Sequence, residues 1–135
     1  MAAVRRIKVL LVDDHVLLRQ GLRTLLECCP DLDIVGEASD GEEAIHCIAS
    51  LRPSVVVMDI NMPKMDGIVA TRLIKNQHPH VAVVGLSLNT DGQHAETMVK
   101  AGAVEVVTKE KAVDDLYASI RRAVVRDNPS APGAL

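Results

Sequence analysis

Three aspartates, one serine and one lysine follow short apolar runs in this sequence of 135 residues. Asp13 and Asp14 come after the first run, Asp59 after the third and Ser87 after the fourth, while Lys109 follows the fifth with one residue between them. Short runs rich in β-branched residues predict buried strands. Because the carboxyl ends of parallel strands meet at one edge of a sheet, we expect these five side chains to lie close together.

Three carboxylates at one edge of a sheet need a cation. Two carboxylates about 4 Å apart repel each other by about 4 kcal/mol at an effective dielectric constant of about 20. Mg²⁺ relieves such repulsion, since it prefers a few carboxylates together with water and phosphate oxygens. The alternative for Asp13 or Asp14 is a helix cap, in which the carboxylate accepts the free amides of the next helix. Five chemical groups at the ends of four strands favour the metal site, with Mg²⁺ as the predicted cofactor.

Asp59 is the candidate nucleophile because it comes directly after the most apolar run, VVVM. An aspartate with an ordinary pKa of about 3.9 is ionised at neutral pH and needs no general base. Such a carboxylate can attack phosphorus and form an acyl phosphate. The metal ion and Lys109 would neutralise charge on the transferred oxygens. The pattern therefore predicts phosphoryl chemistry at Asp59.

Apolar and amphipathic segments alternate along the chain and position these residues. Leucines at three- and four-residue spacing predict a first helix that ends before Pro30. The other predicted helices are Gly41 to Leu51, Asp66 to Gln77, Gln93 to Ala101 and Ala112 to Arg126. The predicted strands are Ile7 to Val12, Ile34 to Ala38, Val55 to Met58, Val81 to Leu86 and Val104 to Val107. This order predicts an α/β fold, a doubly wound parallel sheet with helices on both faces.

Length and composition limit the classes of protein that this chain can represent. One domain is expected, because hydrophobic residues make up 48% and charged residues 24% of a chain of this length. Its core must be aliphatic, since there is no Trp or Phe and only one Tyr. The net charge of -3 and the lack of stacking aromatics argue against direct nucleic-acid binding by this segment. Three cysteines fit a reducing, cytoplasmic setting, and no apolar run is long enough for a membrane span.

The histidines and the chain end receive no catalytic role. His78 and His80 flank Pro79 and predict a turn with solvated imidazoles, because no further ligand completes a metal set. No role is assigned to the other three, which are His15, His46 and His94. Residues 127–135 contain two prolines and several small residues. They predict a flexible tail or linker after a domain over residues 1–126.

Five motifs stand at the predicted strand ends and turns. They are LLVDD (Leu10 to Asp14), VVVMDINMPKMDG (Val55 to Gly67), GLS (Gly85 to Ser87), AGA (Ala101 to Ala103) and TK (Thr108 and Lys109). Together they resemble the receiver domains of two-component response regulators, over about residues 5–126. The resemblance implies a flavodoxin-like (βα)5 fold with five parallel strands in the order 2-1-3-4-5.

The resemblance implies a role for each residue at the sheet edge. Asp59 is then the phosphoacceptor, Ser87 stands at the switch position, and Lys109 is the lysine that contacts the phosphoryl group. The implied ligands of Mg²⁺ are Asp13, Asp14, Asp59 and the backbone carbonyl of Asn61. A receiver is a signalling domain rather than an enzyme, although it assists its own phosphotransfer and dephosphorylation. The implied partner is a histidine kinase or a histidine phosphotransfer domain, no membrane is involved, and a homodimer is left open.

The sequence departs from this family on the fifth strand. Val106 stands where an aromatic residue is usual, and Glu105 replaces the usual glycine. Asn61 and Asn89, two positions after the acceptor and two after the switch serine, resemble positions that tune the lifetime of the phosphoryl group. We therefore expect the phosphorylation chemistry and leave open how the fifth strand responds to it.

Other classes of protein compete with the receiver interpretation. A haloacid-dehalogenase phosphatase would need an acid at Asn61, and a P-loop nucleotidase would need a GxxxxGK[ST] motif, which this sequence lacks. A receiver-fold interaction module that works without phosphate stays an alternative, and acetyl phosphate labelling would separate it from a phosphoacceptor. Two parent proteins are open, a DNA-binding response regulator and a hybrid sensor kinase, with the hybrid kinase slightly favoured.

Overall fold

Strands and helices alternate in the computed structural model, which describes residues 6–88 and 92–134 and therefore leaves Asn89 outside. The strands are β1 (Ile7–Val12), β2 (Leu32–Ala38), β3 (Val55–Asp59), β4 (Ala82–Ser87) and β5 (Glu105–Thr108). The helices are α1 (Val16–Glu27), α2 (Gly41–Leu51), α3 (Gly67–Gln77), α4 (Gly92–Ala101) and α5 (Ala112–Asp127). Within the described ranges, no helix combines the length and the apolar character that crossing a membrane requires.

The strands form one parallel sheet in the order β2-β1-β3-β4-β5. This arrangement confirms the doubly wound α/β fold that the sequence pattern predicted and the strand order that the resemblance implied. The order of the strands reverses between β1 and β3, and ligands of open α/β sheets bind beside the carboxyl ends of strands at such a point. The register pairs Val12 with Met58, so Asp13 and Asp59 leave the sheet next to each other.

The sheet is buried on both faces, because successive side chains of a strand point to opposite sides. Val9, Leu11 and Val57 belong to a core that is closed by α1 and α5. Leu10 and Val56 belong to the opposite core, which is closed by α2, α3 and α4. Both cores are aliphatic, as the composition predicted.

Three strands end one residue later than their apolar runs predicted, and β5 is one of them, since it ends at Thr108 and not at Val107. β3 ends at Asp59 and β4 ends at Ser87. In the register, Asp59 is opposite Leu86 and Ser87 is opposite Thr108. The ladder therefore continues past the last apolar side chain, and Asp59 and Ser87 take their backbone positions from the sheet.

The single aromatic residue lies away from the carboxyl edge. Tyr117 of α5 donates a hydrogen bond from its hydroxyl to Asp31 Oδ2 at 2.7 Å. Asp31 directly precedes β2, and its carbonyl accepts the amide of Ile7, the first residue of β1, at 2.8 Å. Tyr117 therefore connects α5 to the amino edge of the sheet.

The segment after residue 126 begins inside a helix and then folds against the core. Helix α5 includes Asp127, whose Oδ2 lies 2.9 Å from the Nζ of Lys75 on α3. Ala134 is buried with the core that α1 and α5 close. The domain boundary at residue 126 and the mobility of the tail stay predictions.

Candidate functional site

Backbone hydrogen bonds hold the carboxyl edge of the sheet together. The amide of Asp13 donates to the carbonyl of Ala38 on β2 at 3.1 Å. The amide of Lys109 donates to the carbonyl of Ser87 on β4 at 2.7 Å. These bonds continue the ladder one residue beyond β1 and β5, so the backbone positions of Asp13 and Lys109 are fixed by the sheet.

Lys109 joins two buried carboxylates at this edge. Its Nζ lies 2.8 Å from Asp13 Oδ2 and 3.1 Å from Asp59 Oδ2. No more than 5% of any of these three side chains is exposed. Three of the residues that the sequence singled out are thus brought together by β1, β3 and the segment after β5. The cation of Lys109 lies between the two carboxylates.

Asp59 holds its proton more tightly than an ordinary aspartate. Burial is the main cause, and the neighbouring Asp13 carboxylate adds to it, while the ammonium of Lys109 acts in the opposite direction. The pKa of Asp59 is raised from 3.8 to about 7. The sequence argument gave Asp59 an ordinary pKa, which is wrong because it left out this burial. A further positive charge at the cluster would favour the ionised carboxylate.

The donor set of the cluster fits a hard dication. Asp13 Oδ2 and Asp59 Oδ2 are both buried, and they share the one ammonium of Lys109, at 2.8 and 3.1 Å. Buried anionic oxygens with unused lone pairs are costly unless a cation compensates them. Four residues offer one possible ligand atom each, all within 4.8 Å of one another, and they are Asp13, Asp14, His15 and Asp59. Three of the four are carboxylate oxygens, which Mg²⁺ takes as ligands.

The remaining predicted residues lie around this cluster. Asp14 keeps 33% of its side chain exposed, and Asn61 is exposed on the loop after β3. Ser87 is buried at the end of β4. Asn89 lies outside the described residues, so its effect on phosphoryl lifetime stays a prediction.

His15 belongs to the cluster, although the sequence argument gave it no role. Its Nδ1 lies 3.1 Å from Asp13 Oδ1, 3.5 Å from Asp14 Oδ1 and 3.0 Å from Lys109 Nζ. His15 is also the N-cap residue of α1 and makes no side-chain cap bond, while its own amide donates to Asp13 Oδ1 at 2.8 Å. The helix-cap alternative for Asp13 is therefore not observed. The position of His15 directly after two aspartates was the available signal.

Arg19 supports the backbone of Asp13 from α1. Its Nη1 donates to the carbonyl oxygen of Asp13 at 2.6 Å, and its Nε donates to Glu37 Oε1 at 2.7 Å. The guanidinium therefore ties the end of β1 to β2. Sequence reasoning did not find this residue, because its partner Glu37 lies on another element and no local motif connects them.

Gly67 lets α3 begin directly against the end of β3. Its amide donates to the carbonyl of Ile60 at 2.8 Å. A Cβ at this position would lie 2.0 Å from the carbonyl oxygen of Asp59, far inside van der Waals contact. Asp66 caps the helix by accepting the amide of Val69 at 2.9 Å. The MDG sequence therefore positions the backbone of the candidate acceptor.

Val106 lies beside Gly85 in the pairing of β4 with β5. It packs against the core that α2, α3 and α4 close, where Met98 of α4 is fully buried. A Cβ at Gly85 would lie 3.0 Å from Val106 Cγ2 and 3.1 Å from Met98 Cγ. The space next to Gly85 is therefore already filled.

A sequence profile described as the response regulator receiver domain matches residues 9–121. The chain belongs to the response regulator receiver family. It is 34% identical over 116 residues to the transcriptional regulatory protein DegU of Brevibacillus brevis, covering 86% of this chain and 49% of DegU. It is 37% identical over 117 residues to the transcriptional regulatory protein LiaR of Bacillus subtilis, covering 87% of this chain and 56% of LiaR. This receiver chain thus spans about half the length of these relatives.

A solved structure also matches this receiver over most of the length of both chains. The response regulator domain of CheB from Thermotoga maritima superposes with a TM-score of 0.81 at 32% identity, covering 88% of this chain and 96% of that domain. The receiver family and fold expected from the motifs are confirmed. Receiver domains are signalling domains that interact with kinases and phosphotransfer proteins. The dehalogenase and P-loop alternatives are therefore set aside.

Proposed function

We propose that this receiver accepts a phosphoryl group on Asp59 from a phosphohistidine and thereby changes its binding to a partner. The observation that supports this most directly is the cluster in which Lys109 Nζ contacts the carboxylates of both Asp13 and Asp59. A carboxylate at a strand end provides the nucleophile, and a fixed cation beside it compensates the charge of the transferred group.

The proposed transfer replaces one bond to phosphorus by another. A carboxylate oxygen of Asp59 attacks phosphorus, the phosphorus–nitrogen bond to the donor imidazole breaks, and the leaving nitrogen keeps the electron pair and takes up a proton. The product is an acyl phosphate on Asp59. Only the ionised carboxylate is nucleophilic, so the raised pKa of Asp59 makes added positive charge a condition for fast transfer near neutral pH.

We assign Mg²⁺ to the carboxylates of Asp13, Asp14 and Asp59, with the backbone carbonyl of Asn61 as a further ligand. When bound, the ion supplies positive charge that favours the ionised Asp59 and offsets charge on the phosphoryl oxygens. The buried Oδ2 atoms of Asp13 and Asp59 support this assignment, because they share a single ammonium, which leaves negative charge for a further cation to offset. Asp13 contributes twice, because it also holds the Lys109 ammonium beside the acceptor.

Lys109 and Ser87 are proposed to act on the oxygens of the attached group. The ammonium of Lys109 already lies 3.1 Å from Asp59, and Ser87 ends the neighbouring strand β4. A hydrogen bond to a charged oxygen contributes about 1.5–3 kcal/mol. This is enough to change the preferred position of the backbone that follows Ser87, which is how the chemistry would reach a binding surface.

The proposed phosphoryl donor is a histidine kinase or a histidine phosphotransfer domain in the cytoplasm. Cys28, Cys29 and Cys47 are all free thiols, which supports a reducing compartment. For the longer protein we propose a transcriptional regulator, because DegU and LiaR are transcriptional regulatory proteins about twice as long as the matched segment. This proposal replaces the hybrid sensor kinase that the sequence slightly favoured. The net charge of -3 supports assigning any nucleic-acid contact to another part of that protein.

Acetyl phosphate labelling followed by intact-mass measurement tests the proposed function. We expect one added phosphoryl group when Mg²⁺ is present, none after chelation, and none in Asp59→Asn. Asp33→Asn is the matched control, since Asp33 is an exposed aspartate on β2. Labelling of Asp59→Asn at the wild-type level would overturn the assignment.

A second outcome would favour the interaction module that works without phosphate. It requires a folded wild-type protein, shown by circular dichroism, that neither acetyl phosphate nor phosphoramidate labels at saturating Mg²⁺. A phosphorylated histidine phosphotransfer domain should then also fail to transfer its group.

A further inference from the structure

The imidazole of His15 is turned toward the acidic cluster, although it is the most solvent-exposed member. Its Nδ1 lies within 3.5 Å of Asp13, Asp14 and the Lys109 ammonium, while 53% of the side chain is exposed. His15 is anchored at the start of α1, where its amide donates to Asp13 Oδ1. The ring nitrogen is thus placed by the same carboxylate that contributes to the candidate metal site.

The two neighbours of Nδ1 require opposite hydrogen-bonding roles of this nitrogen. An ammonium can only donate, so at 3.0 Å from Lys109 the nitrogen must offer its lone pair. A carboxylate can only accept, so at 3.1 Å from Asp13 the nitrogen must carry a proton. One nitrogen cannot do both. A dication bound to both Nδ1 and the Asp13 carboxylate would remove the conflict, because it accepts a lone pair from each of them and the ring proton can then lie on Nε2.

We propose that His15 Nδ1 is a ligand of the dication site and shifts its preference from Mg²⁺ toward first-row transition dications. The inference rests on the proposed function, because it takes the acidic cluster to be the metal site. Two observations support it. The ligand atom of His15 lies within 4.8 Å of those of the three aspartates, and the buried carboxylates of Asp13 and Asp59 share only one ammonium, that of Lys109.

The chemistry of the nitrogen ligand gives the direction of the preference. Mg²⁺ is a hard ion that binds oxygen and gives up water reluctantly. Imidazole suits Zn²⁺, Ni²⁺ and Cu²⁺, and affinity for a mixed site rises from Mn²⁺ to Cu²⁺ along the first row. Replacing the nitrogen by an oxygen should therefore weaken Ni²⁺ binding much more than Mg²⁺ binding.

The test compares wild-type protein with His15→Asn, which exchanges the ring nitrogen for an amide oxygen. Calorimetric titrations with Ni²⁺ and with Mg²⁺ are run about one pH unit above the ordinary histidine pKa of about 6.5. We expect Ni²⁺ affinity to fall by about tenfold or more and Mg²⁺ affinity to change by less than about twofold. In pulsed electron paramagnetic resonance, bound Mn²⁺ should show a directly coordinated ¹⁴N that His15→Asn removes.

Two controls separate His15 from three of the other four histidines. His46→Asn changes an exposed histidine on α2 and should leave both affinities unchanged. The double variant His78→Asn, His80→Asn measures any Ni²⁺ that binds at the turn before β4, so that this contribution can be subtracted. A change in Ni²⁺ affinity as large in these variants as in His15→Asn would overturn the proposal.

The remaining outcomes distinguish this inference from the proposed function. If Mg²⁺ binds and Asp59 is labelled, but His15→Asn leaves the ratio of the two affinities unchanged and Mn²⁺ shows no bound nitrogen, the inference is wrong and the function stands. If both affinities fall equally, His15 positions Asp13 and is not a ligand. If Asp13→Asn and Asp59→Asn leave binding of both ions unchanged, the metal site itself is wrong and the inference is overturned with it.

Discussion

Lys109 Nζ lies 3.1 Å from Asp59 Oδ2 and 2.8 Å from Asp13 Oδ2, so a single ammonium serves two buried carboxylates. One positive charge cannot compensate two negative charges in a poorly solvated pocket, and one of the acids must gain a proton more easily. Burial, to which the neighbouring Asp13 carboxylate adds, raises the pKa of Asp59, and the single ammonium of Lys109 offsets only part of this. The cluster therefore has one more negative charge than positive charge when both carboxylates are ionised. Such a site favours binding of a dication before phosphoryl transfer.

The pH dependence of stability should reveal the raised pKa of Asp59. The pKa of Asp59 is about 7 in the folded protein and about 3.9 in an unfolded chain. The folded state binds more protons between these values, so this group makes the free energy of unfolding fall as the pH rises from about 4 to about 7. In a chelating buffer, Asp59→Asn should therefore gain stability relative to wild type between about pH 5 and about pH 8.

Urea unfolding at the two pH values measures this gain. Asp33→Asn, which changes an exposed aspartate on β2, serves as the control and should show the same offset from wild type at both. An offset for Asp59→Asn that does not grow with pH would contradict the raised pKa.

Removal of the shared cation should be destabilising. Lys109→Met leaves the Asp13 and Asp59 carboxylates facing each other without compensation. Breaking a buried ion pair on one side costs about 3–5 kcal/mol, and we expect the loss near the lower value, because Asp59 can take up a proton. The loss should be larger at about pH 8 than at about pH 5. Lys111→Met, at a neighbouring exposed lysine, should change the unfolding free energy little, and an equal effect would disprove the ion-pair argument.

A substitution of Asp14 should weaken the metal site without creating a cavity in the core. Asp14→Ala removes a partly exposed carboxylate and relieves repulsion within the acidic cluster. We expect Mg²⁺ affinity to fall by about tenfold, while the free energy of unfolding in chelator stays level or rises slightly. Calorimetric titration and urea unfolding can use the same samples. Unchanged Mg²⁺ affinity in both Asp14→Ala and Asp13→Ala would remove the metal site from the proposal.

Gly67 provides a test of the backbone that carries the acceptor. Gly67→Ala places a methyl group 2.0 Å from the Asp59 carbonyl oxygen, so β3 and α3 must separate. We expect a loss of about 3 kcal/mol or more, or no folded protein. Gly21→Ala is the matched control, because its Cβ meets nothing within 4 Å and alanine favours a helix by about 0.5–1 kcal/mol. Denaturant midpoints should therefore move in opposite directions, and a wild-type midpoint for Gly67→Ala would refute the contact.

Addition of beryllofluoride should move the end of β4 more than β5. Val106 is short and stiff at χ1, and Met98 already fills the space beside Gly85. We expect amide chemical shifts to change mainly at Ser87, Leu88 and α4, together with residues 89–91, which lie outside the described structure. Large changes over residues 104–107 with little change at Ser87 would show that the signal takes another route.

The sequence predicted those parts of the site that strand ends determine. Asp13, Asp59 and Lys109 follow apolar runs, so a parallel sheet brings them to one edge whatever the helices do in detail. The last residue of each strand depends on ladder hydrogen bonds with a neighbouring strand, and apolar patterning does not contain that information. This is why Asp59 and Ser87 fell just outside the predicted strands.

Long-range contacts account for what the sequence did not predict. The contact of His15 with Lys109 joins residues 94 positions apart, and it depends on how α1 leaves the sheet. The pKa of Asp59 depends on burial by several elements at once. The contact between Gly67 and the Asp59 carbonyl is likewise a distance in space, although the glycine itself is visible in the motif.

The only tyrosine, Tyr117, lies away from the acidic cluster, so its fluorescence does not report on that site. It is the only aromatic side chain, and its hydroxyl is bound to Asp31 at the opposite edge of the sheet. Intrinsic ultraviolet emission therefore comes from a fluorophore remote from Asp59, and metal binding should leave it nearly constant. The absence of tryptophan from the sequence is useful for a probe. A tryptophan introduced at the exposed Leu88, directly after Ser87, would be the sole indole emitter, and its fluorescence could be followed without background.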